Sequence, residues 1–292
     1  LKIDEESLHI MQDELGENNQ LSKILKDIEE LLMLNKRLGQ LADGKNAWLS
    51  MIGTDGRIHG SVIPNGAVSG RATHSRPNVA QVPHVGSPYG KECRELFNSG
   101  DWYQAGIDAC GLELRCLAHF MYPYDDGKYA HTILNGDIHT MNQQAAGLPT
   151  RNDAKRFIYA FLYGAGDEKI GKLIGEDAKA GKKIKKKFLD ATPAIAALRH
   201  AVENALVYPA DYSHGFRKQK WKRHYLLGLD KRHLHVRSVH SALNLLLQSA
   251  GALVCKKWIV LTEKRLLARG LKHGWDGDFA LMAWVHEHHC AL

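Results

Sequence analysis

One amphipathic helix constrains this sequence more than any other stretch: "RNDAKRFIYAFLYGAG", residues 151–166. Cationic and phenolic side chains recur at every fourth position and stop before Gly164; they are Arg151, Lys155, Tyr159 and Tyr163. Each step of four residues turns an α-helix by about 400°, so these side chains share one face along about 18 Å of the axis. The other faces are apolar and can pack against the body of the protein; they carry Phe157, Ile158, Phe161 and Leu162. The pattern predicts a surface helix of a folded domain.

Two interpretations fit the charged end of this helix. Arg151 and Lys155 are either solvated cations, which is the common case for an isolated pair, or two cations that bind an extended polyanion together. The two tyrosines favour the polyanion, because a purely solvated face rarely ends in aromatic rings. A net charge of +7 and a pI near 9.0 also indicate an anionic partner, with nucleic acid as the default.

The composition is that of an ordinary globular protein. With 292 residues, 44% of them hydrophobic and 24% charged, the chain suffices for one large or two modest domains. Its five cysteines form no CxxC pair, so we expect reduced thiols in a cytosolic setting. We expect no signal peptide and no apolar run long enough to span a bilayer. Because the first residue is Leu1 rather than Met, the sequence indicates a fragment or a processed product.

Helical and strand-forming stretches alternate along the chain. The predicted elements are a helix over 21–38 ended by Gly39, short strands and turns over 54–90, a strand at Ala105–Asp108 that leads into a helix from Leu112, several helices over 125–205, a basic hairpin or loop over 216–238, a helix over about 240–270, and a final apolar strand in "FALMAWVHEHHCAL". The run "KKIKKK" falls on one of the middle helices, where it is either a solvated face or a nucleic-acid contact.

Two carboxylates are predicted at strand ends. Asp108 follows the apolar residues of one strand, and Glu287 ends the strand "LMAWVHE". Carboxylate oxygens at adjacent strand ends would bind a divalent metal. The alternative for Asp108 is a helix N-cap before "GLELR", which has equal weight on local grounds. A second alternative is zinc bound by the tail "HEHHC", although its crowded ligands lack the separated spacing of structural zinc sites.

A second polar stripe has the same spacing of four residues. It consists of His240, Asn244 and Gln248. Such residues need hydrogen-bond partners, and amides suit the edges of bases. Minor-groove acceptors are nearly the same for all base pairs, so contacts there test pairing without reading sequence. Arg71 in "SGRATH" lies in a glycine-flanked turn from which it could reach the same groove.

In this order, the motifs resemble the polymerase region of family A DNA polymerases, with the closest match to the replicative enzymes of short-tailed bacteriophages. The stretches that carry the resemblance are "DGRIHGSVIPNGAVSGRATHSRPNVAQVP", "GIDACGLELRCLAHF", "LNGDIHT", "RNDAKRFIYAFLYGAGDEKIG", "KKKFLDATPAIAALR", "HVRSVHSALNLLLQSAGAL" and "KHGWDGDFALMAWVH". The resemblance covers about residues 30–286. It implies an α+β right-hand fold with an antiparallel palm sheet, helical fingers and a partial thumb.

The resemblance assigns the opening helix to the fingers that close over an incoming nucleotide. It implies that Arg151, Lys155 and His139 bind the triphosphate and that Tyr159 lies beside the sugar and base. Glu113 would lie under the sugar's 2′ position and help to exclude ribonucleotides.

For the DNA, the resemblance implies that Tyr163 stacks near the templating position. Arg71, Asn244 and Gln248 would line the minor groove of the nascent pair, with His240 nearby.

The implied reaction is attack of a primer 3′-hydroxyl on the α-phosphate of a dNTP, templated by DNA and assisted by two Mg²⁺ ions. Its catalytic residues would be Asp108, Lys155 and Glu287, with Asp108, Glu287 and the Ala109 carbonyl as metal ligands. The implied partners are primer-template DNA and dNTPs, with no membrane involved, and the expected location is the cytoplasm of the phage host.

The sequence departs from the family at its end. Glu287 stands where the family has an aspartate, and His288 replaces a second carboxylate. We expect the palm hairpin to lack its partner strand and to leave an unpaired edge, with the last six residues as read-through. An exonuclease domain and the insertion through which phage enzymes recruit host thioredoxin are not visible.

These observations predict four segments: a thumb remnant at 1–43, a first palm part at 44–119, fingers at 120–244 and a second palm part at 245–292. Two alternatives to an active polymerase remain open. One is an inactive fragment that binds primer-template without turnover, and the other is a split enzyme completed by a second polypeptide.

Overall fold

The computed structural model of the chain describes residues 5–16, 19–209, 220–285 and 289–291. Helices dominate this described part, and three small sheets accompany them. The predicted α+β fold class is confirmed.

The chain divides into two compact units. The first consists of residues 1–62 and 74–96, and the second of residues 63–73 and 97–292. The division into thumb, palm and fingers segments stays a prediction.

The described residues of the first unit form three α-helices: α1 (Glu5–Leu15), α2 (Gln20–Leu38) and α3 (Gly90–Glu95). Helix α2 begins after Asn19, whose side-chain oxygen accepts a hydrogen bond from the Leu21 N–H at 2.9 Å. The α-helix ends at Leu38, but the chain continues as a π-helix over Gly39–Asp43, so Gly39 does not end the helical path as predicted. Its apolar stripe is largely uncovered, since Leu21 and Leu31 are 56% and 57% exposed.

Two short strands lie where the sequence predicts strands and turns. They are β1 (Ser61–Ile63) and β2 (Thr73–Ser75), which form a two-stranded sheet. The chain between them turns through Gly66 and Gly70. A Cβ atom added at Gly66 would lie 1.9 Å from the Thr73 Oγ1, so only glycine fits this close approach.

The second unit begins its helical part as predicted: β3 (Gly106–Ile107) is followed by α4 (Leu112–Asp125). Six helices follow: α5 (Lys128–Asn135), α6 (Ile138–Ala146), α7 (Arg151–Leu162), α8 (Asp167–Lys172), α9 (Ala178–Ala191) and α10 (Pro193–Leu206). Side chains of Asp137, Thr150 and Asp177 cap the starts of α6, α7 and α9, which explains why these helices begin where they do.

The predicted apolar surface of α7 is buried. Phe157 and Ile158 are 1% and 0% exposed, and Phe161 and Leu162 are also buried. Phe188 of α9 packs edge-on against Phe157, with ring centroids 5.1 Å apart. This core holds α7 in place and leaves its charged face outward.

A hairpin and a long helix follow. The hairpin pairs β4 (Tyr225–Leu227) with β5 (His233–His235), as the basic passage predicts, although residues 210–219 lie outside the described part. Helix α11 (Ala242–Ala268) comes after a 3-10 turn, Val239–Ser241.

Among the described residues, the stretch Val239–Ala268 is long and apolar enough to cross a bilayer, with a window of mean hydropathy 1.3. The sequence-based statement that no apolar run reaches this length was therefore wrong. The stretch is weak evidence for a membrane span, because core helices of soluble proteins meet the same length and composition.

The last strands complete a three-stranded antiparallel sheet. They are β6 (Ala283–Val285) and β7 (His289–Ala291), and the order is β3-β7-β6. In the register, Cys290 lies opposite Ile107 on one side and opposite Trp284 on the other. The expectation that the palm hairpin lacks its partner strand and leaves an unpaired edge there is wrong. Strand pairing uses backbone N–H and C=O groups, so the polar tail can supply a strand without an apolar pattern.

Candidate functional site

The charged face of α7 is presented as its spacing predicts. Arg151 and Lys155 are exposed, while Tyr159 is half-buried. Tyr163 follows the last helical residue and occupies the C-cap, so it continues the face from just beyond the helix. Gly164 then takes the left-handed conformation at φ +77°, and an added Cβ would lie 2.8 Å from the His240 carbonyl oxygen.

Arg151 is bound by a carboxylate that the sequence analysis did not single out. Asp137 accepts hydrogen bonds from Arg151 Nε at 2.5 Å and Nη2 at 3.1 Å, a two-point contact. The Arg151 guanidinium, with the Thr140 hydroxyl as second cause, holds the pKa of Asp137 far below its usual range. Its position as an N-cap in "GDIHT" was the available signal, but the partner 14 residues away was not visible.

His139 lies beside the same face. Its ring centroid is 6.4 Å from that of Tyr159. Burial, followed by the positive charge of Arg151, lowers the pKa of His139, so the imidazole is neutral at pH 7. Within the described residues its buried Nδ1 has no hydrogen-bond partner. A neutral imidazole carries one N–H donor, which suits contact with a phosphate oxygen.

Glu113 unites residues for which the sequence predicted separate roles. It is 6% exposed, and its Oε1 accepts hydrogen bonds from Arg71 Nη2 at 3.1 Å and from the Tyr163 hydroxyl at 2.8 Å. Burial and then this hydrogen bond to Glu113 raise the pKa of Tyr163. The buried carboxylate is thus satisfied and ties the start of α4 to the end of α7 and to the turn that carries Arg71.

Asp108 lies at the exposed end of β3. It is not the N-cap of α4, because Gly111 occupies that position at φ +60° with no capping side chain; the N-cap alternative was wrong. Burial and then the charges of Glu113, Cys110 and Asp108 raise the pKa of Tyr159, which places the Asp108 carboxylate in the electrostatic surroundings of this phenol.

The donors at this strand end fit magnesium in chemistry. The exposed Asp108 carboxylate and the neighbouring Ala109 carbonyl are hard oxygen donors. Glu287, the predicted second carboxylate, lies outside the described residues. The strand that follows it, β7, pairs with β3 at Ile107, one residue before Asp108. No group of three or more His, Cys, Asp or Glu side chains that could hold a metal occurs within the described part of the chain. The side chains of the predicted zinc alternative, "HEHHC", are likewise not described.

The second polar stripe is divided between two elements. His240 is exposed in the 3-10 turn before α11, whereas Asn244 and Gln248 are partly buried on α11 itself. The turn that carries Arg71 is supported by a residue that sequence reasoning missed. A Cβ added at Gly70 would lie 2.3 Å from Arg232 Nη1, so the Arg232 guanidinium packs directly on this turn.

Similarity to known proteins identifies the family of this chain. The family model for DNA polymerase family A matches residues 2–288, and the chain belongs to this family. It is 61% identical over 269 residues to the DNA-directed DNA polymerases of Enterobacteria phage T3 and Escherichia phage T7, which covers 89% of this chain. The chain spans 38% of the length of each of these relatives.

A solved structure has the same fold. The POL domain of Pol1 from M. smegmatis, in complex with DNA primer-template and dNTP, matches with a TM-score of 0.74. The match covers 99% of this chain and 49% of the other, at 18% sequence identity. At this identity the similarity supports the fold alone.

Proposed function

We propose that this chain is the core of a template-directed DNA polymerase, which joins deoxynucleotides from dNTPs to a primer 3′-hydroxyl in phage DNA replication. The observation that carries the proposal is the convergence of two cations, a neutral imidazole and a carboxylate around Tyr159 in the second unit. Arg151 and Lys155 supply the charge, and burial and Arg151 keep His139 neutral. The negative charge of Asp108 is one of the causes, after burial and the charges of Glu113 and Cys110, that raise the pKa of Tyr159. This is an arrangement that suits a polyphosphate and a reacting hydroxyl.

Nucleotide binding follows from these contacts. Arg151 and Lys155 bind the triphosphate through charge-assisted hydrogen bonds, and His139 donates its N–H to a phosphate oxygen. The Tyr159 ring lies beside the sugar and base. Glu113, held by Arg71 and Tyr163, leaves no room for a 2′-hydroxyl.

In the reaction, the primer 3′-hydroxyl oxygen bonds to the α-phosphorus, the bond to the β-phosphate oxygen breaks, and the hydroxyl proton passes to solvent. Lys155 stabilises the negative charge that develops on the leaving pyrophosphate. Family A polymerases are generally metal-dependent. Asp108, the Ala109 carbonyl and Glu287 are the groups that would hold two Mg²⁺ ions. Bound magnesium supplies Lewis-acid stabilisation of the phosphate charge.

The DNA contacts come from α11 and its surroundings. Asn244, Gln248 and Arg71 face the minor groove of the nascent pair, with His240 nearby, and Tyr163 stacks near the templating base. Such contacts test the geometry of the pair without reading its sequence.

Two alternative functions are an inactive fragment that binds primer-template and a split enzyme. Glu287 in place of the family's aspartate favours a fragment that binds primer-template without turnover, because one extra methylene shifts the carboxylate by about 1 Å. A split enzyme needs a second polypeptide beside β3, but β7 of the chain itself already pairs there.

Single-nucleotide primer extension with magnesium, beside an Asp108→Ala variant, tests the proposal. We expect extension that disappears in the variant, while fluorescence anisotropy shows the same primer-template affinity for both proteins. Intact DNA binding without extension would favour the inactive fragment. Extension that appears only after addition of the C-terminal palm segment from a phage relative would favour the split enzyme.

A further inference from the structure

Asp137 is the most heavily hydrogen-bonded side chain near the charged face of α7. One oxygen accepts hydrogen bonds from the backbone N–H groups of His139, at 3.0 Å, and of Thr140, at 3.4 Å, and these two bonds cap α6. The other accepts from the Thr140 hydroxyl at 2.8 Å. Both oxygens also accept from the Arg151 guanidinium. The carboxylate is therefore fixed in orientation before it meets the arginine.

The contact with Arg151 leaves most of the guanidinium available. A guanidinium carries five N–H donors in a rigid plane, and the two bonds to Asp137 use Nε and one donor of Nη2. The remaining Nη2 donor and both Nη1 donors can serve another anion. Two parallel bonds also fix the plane of the guanidinium, which a single bond would not do.

The same carboxylate links two helices that carry proposed phosphate ligands. His139 lies two residues after Asp137 on α6, and Arg151 begins α7. A change at Asp137 therefore alters the positions of the His139 and Arg151 side chains relative to each other. Asp137 is not itself a phosphate ligand, because its negative charge repels phosphate.

We infer that Asp137 is a positioning residue for the incoming nucleotide: it holds Arg151 and His139 in the arrangement that binds a triphosphate. The inference rests on the proposed function, because it names the residue that organises the same site. It opposes the simpler view that Asp137 occupies Arg151 and competes with the nucleotide. The two views predict opposite signs, since removal of a competitor tightens nucleotide binding and removal of a positioning residue weakens it.

Equilibrium dNTP binding to the full chain with a dideoxy-terminated primer-template, which cannot turn over, separates the two views. Asp137→Asn and Asp137→Ser both keep a good helix N-cap, and neither can bind a guanidinium through two charged oxygens. We expect each to raise the dNTP Kd by about 5-fold to 100-fold, because small misplacements of binding groups cost factors of this size. Asp153→Asn is the matched control. Asp153 lies in the first turn of α7 near Arg151, and its carboxylate accepts a hydrogen bond from the Thr150 hydroxyl. The dNTP Kd of this variant should stay within about twofold of the wild-type value.

An arginine-deficient background excludes a merely structural effect. In Arg151→Ala, the further change Asp137→Asn should not raise the dNTP Kd, because the arginine that Asp137 positions is gone and asparagine still caps the helix that carries His139. An unchanged or lower Kd for Asp137→Asn in the wild-type background overturns the inference, as does a full effect in the Arg151→Ala background. Because the binding measurement needs no turnover, absence of primer extension by the wild-type chain would overturn only the proposed function. Absence of dNTP binding by the wild-type chain would overturn both.

Discussion

Replacing Arg71 with methionine removes one side of a buried ion pair and leaves the Tyr163 hydroxyl as a hydrogen-bond donor to the Glu113 carboxylate. The side chains of Arg71 and Glu113 are 20% and 7% exposed, with 3.1 Å between Nη2 and Oε1. Breaking a buried pair by removing one partner costs about 3–5 kcal/mol. The partial exposure of Arg71 and the remaining Tyr163 hydrogen bond reduce this figure, so we expect about 2–4 kcal/mol of lost unfolding free energy for Arg71→Met.

The matched variants isolate the charge. Glu113→Gln keeps an oxygen that can accept from Tyr163 and from Arg71, and the arginine that loses its counter-ion can still reach water. We expect a cost of about 1 kcal/mol for this variant. The double variant, Arg71→Met with Glu113→Gln, leaves no buried charge unpaired. Its loss of unfolding free energy should therefore be about 1–2 kcal/mol smaller than the sum of the two single losses.

Urea unfolding followed by tryptophan fluorescence measures this cycle in the second unit. Of the six tryptophans only Trp48 precedes residue 97, which leaves five in the second unit. A cost below about 1 kcal/mol for Arg71→Met, or additivity within about 0.5 kcal/mol, would refute the view that the two charges depend on each other.

Two further predictions concern a close approach and a titration. Gly164→Ala should lower the unfolding free energy by about 2 kcal/mol or more in the same urea assay, because it combines left-handed backbone strain with a Cβ 2.8 Å from the His240 carbonyl oxygen. Gly166→Ala is the control, because Gly166 has φ −66° and an added Cβ would meet nothing within 4 Å. Its unfolding free energy should stay within about 0.5 kcal/mol of the wild-type value. An NMR titration of His139 should give a pKa below the ordinary value of about 6.5, and Arg151→Gln should raise it because one cause of the lowering is removed.

The sign of the histidine effect on stability follows from the direction of its pKa. Because the folded-state pKa of His139 lies below the unfolded value, its contribution to stability is complete above about pH 6.5 and is lost as the pH falls toward the folded pKa. His139→Gln should therefore flatten this part of the pH dependence. A His139 pKa at or above 6.5 would contradict the burial that the structure gives it, and equal costs for the two glycine variants would contradict the close approach at Gly164.

Local rules predicted the α7 helix well and its partners poorly. The spacing of Arg151 and Lys155 and the burial of Phe157 follow from helix periodicity alone. The contacts of Glu113 join residues 42 and 50 positions apart, and no periodicity contains such information. The resemblance named Glu113, Arg71 and Tyr163, but it gave them separate roles.

Two elements show why short-range patterns fail. The local sequence fitted Asp108 equally well as a helix N-cap and as a metal ligand at a strand end. The N-cap was excluded only by the structure, in which the left-handed Gly111 occupies that position. The tail was expected to leave the hairpin unpaired because the sequence departs from the family pattern after "WVH". Strand β7 pairs through its backbone on both sides, and this pairing leaves no signature in residue type.

Templated incorporation tests the central claim most directly. Four primer-templates that differ in the templating base are each offered every dNTP singly, with magnesium, beside Asp108→Ala. The account predicts extension by the complementary nucleotide alone on each template and none by the variant. Extension without regard to the template, or none from the wild-type chain while it still binds primer-template, would contradict it.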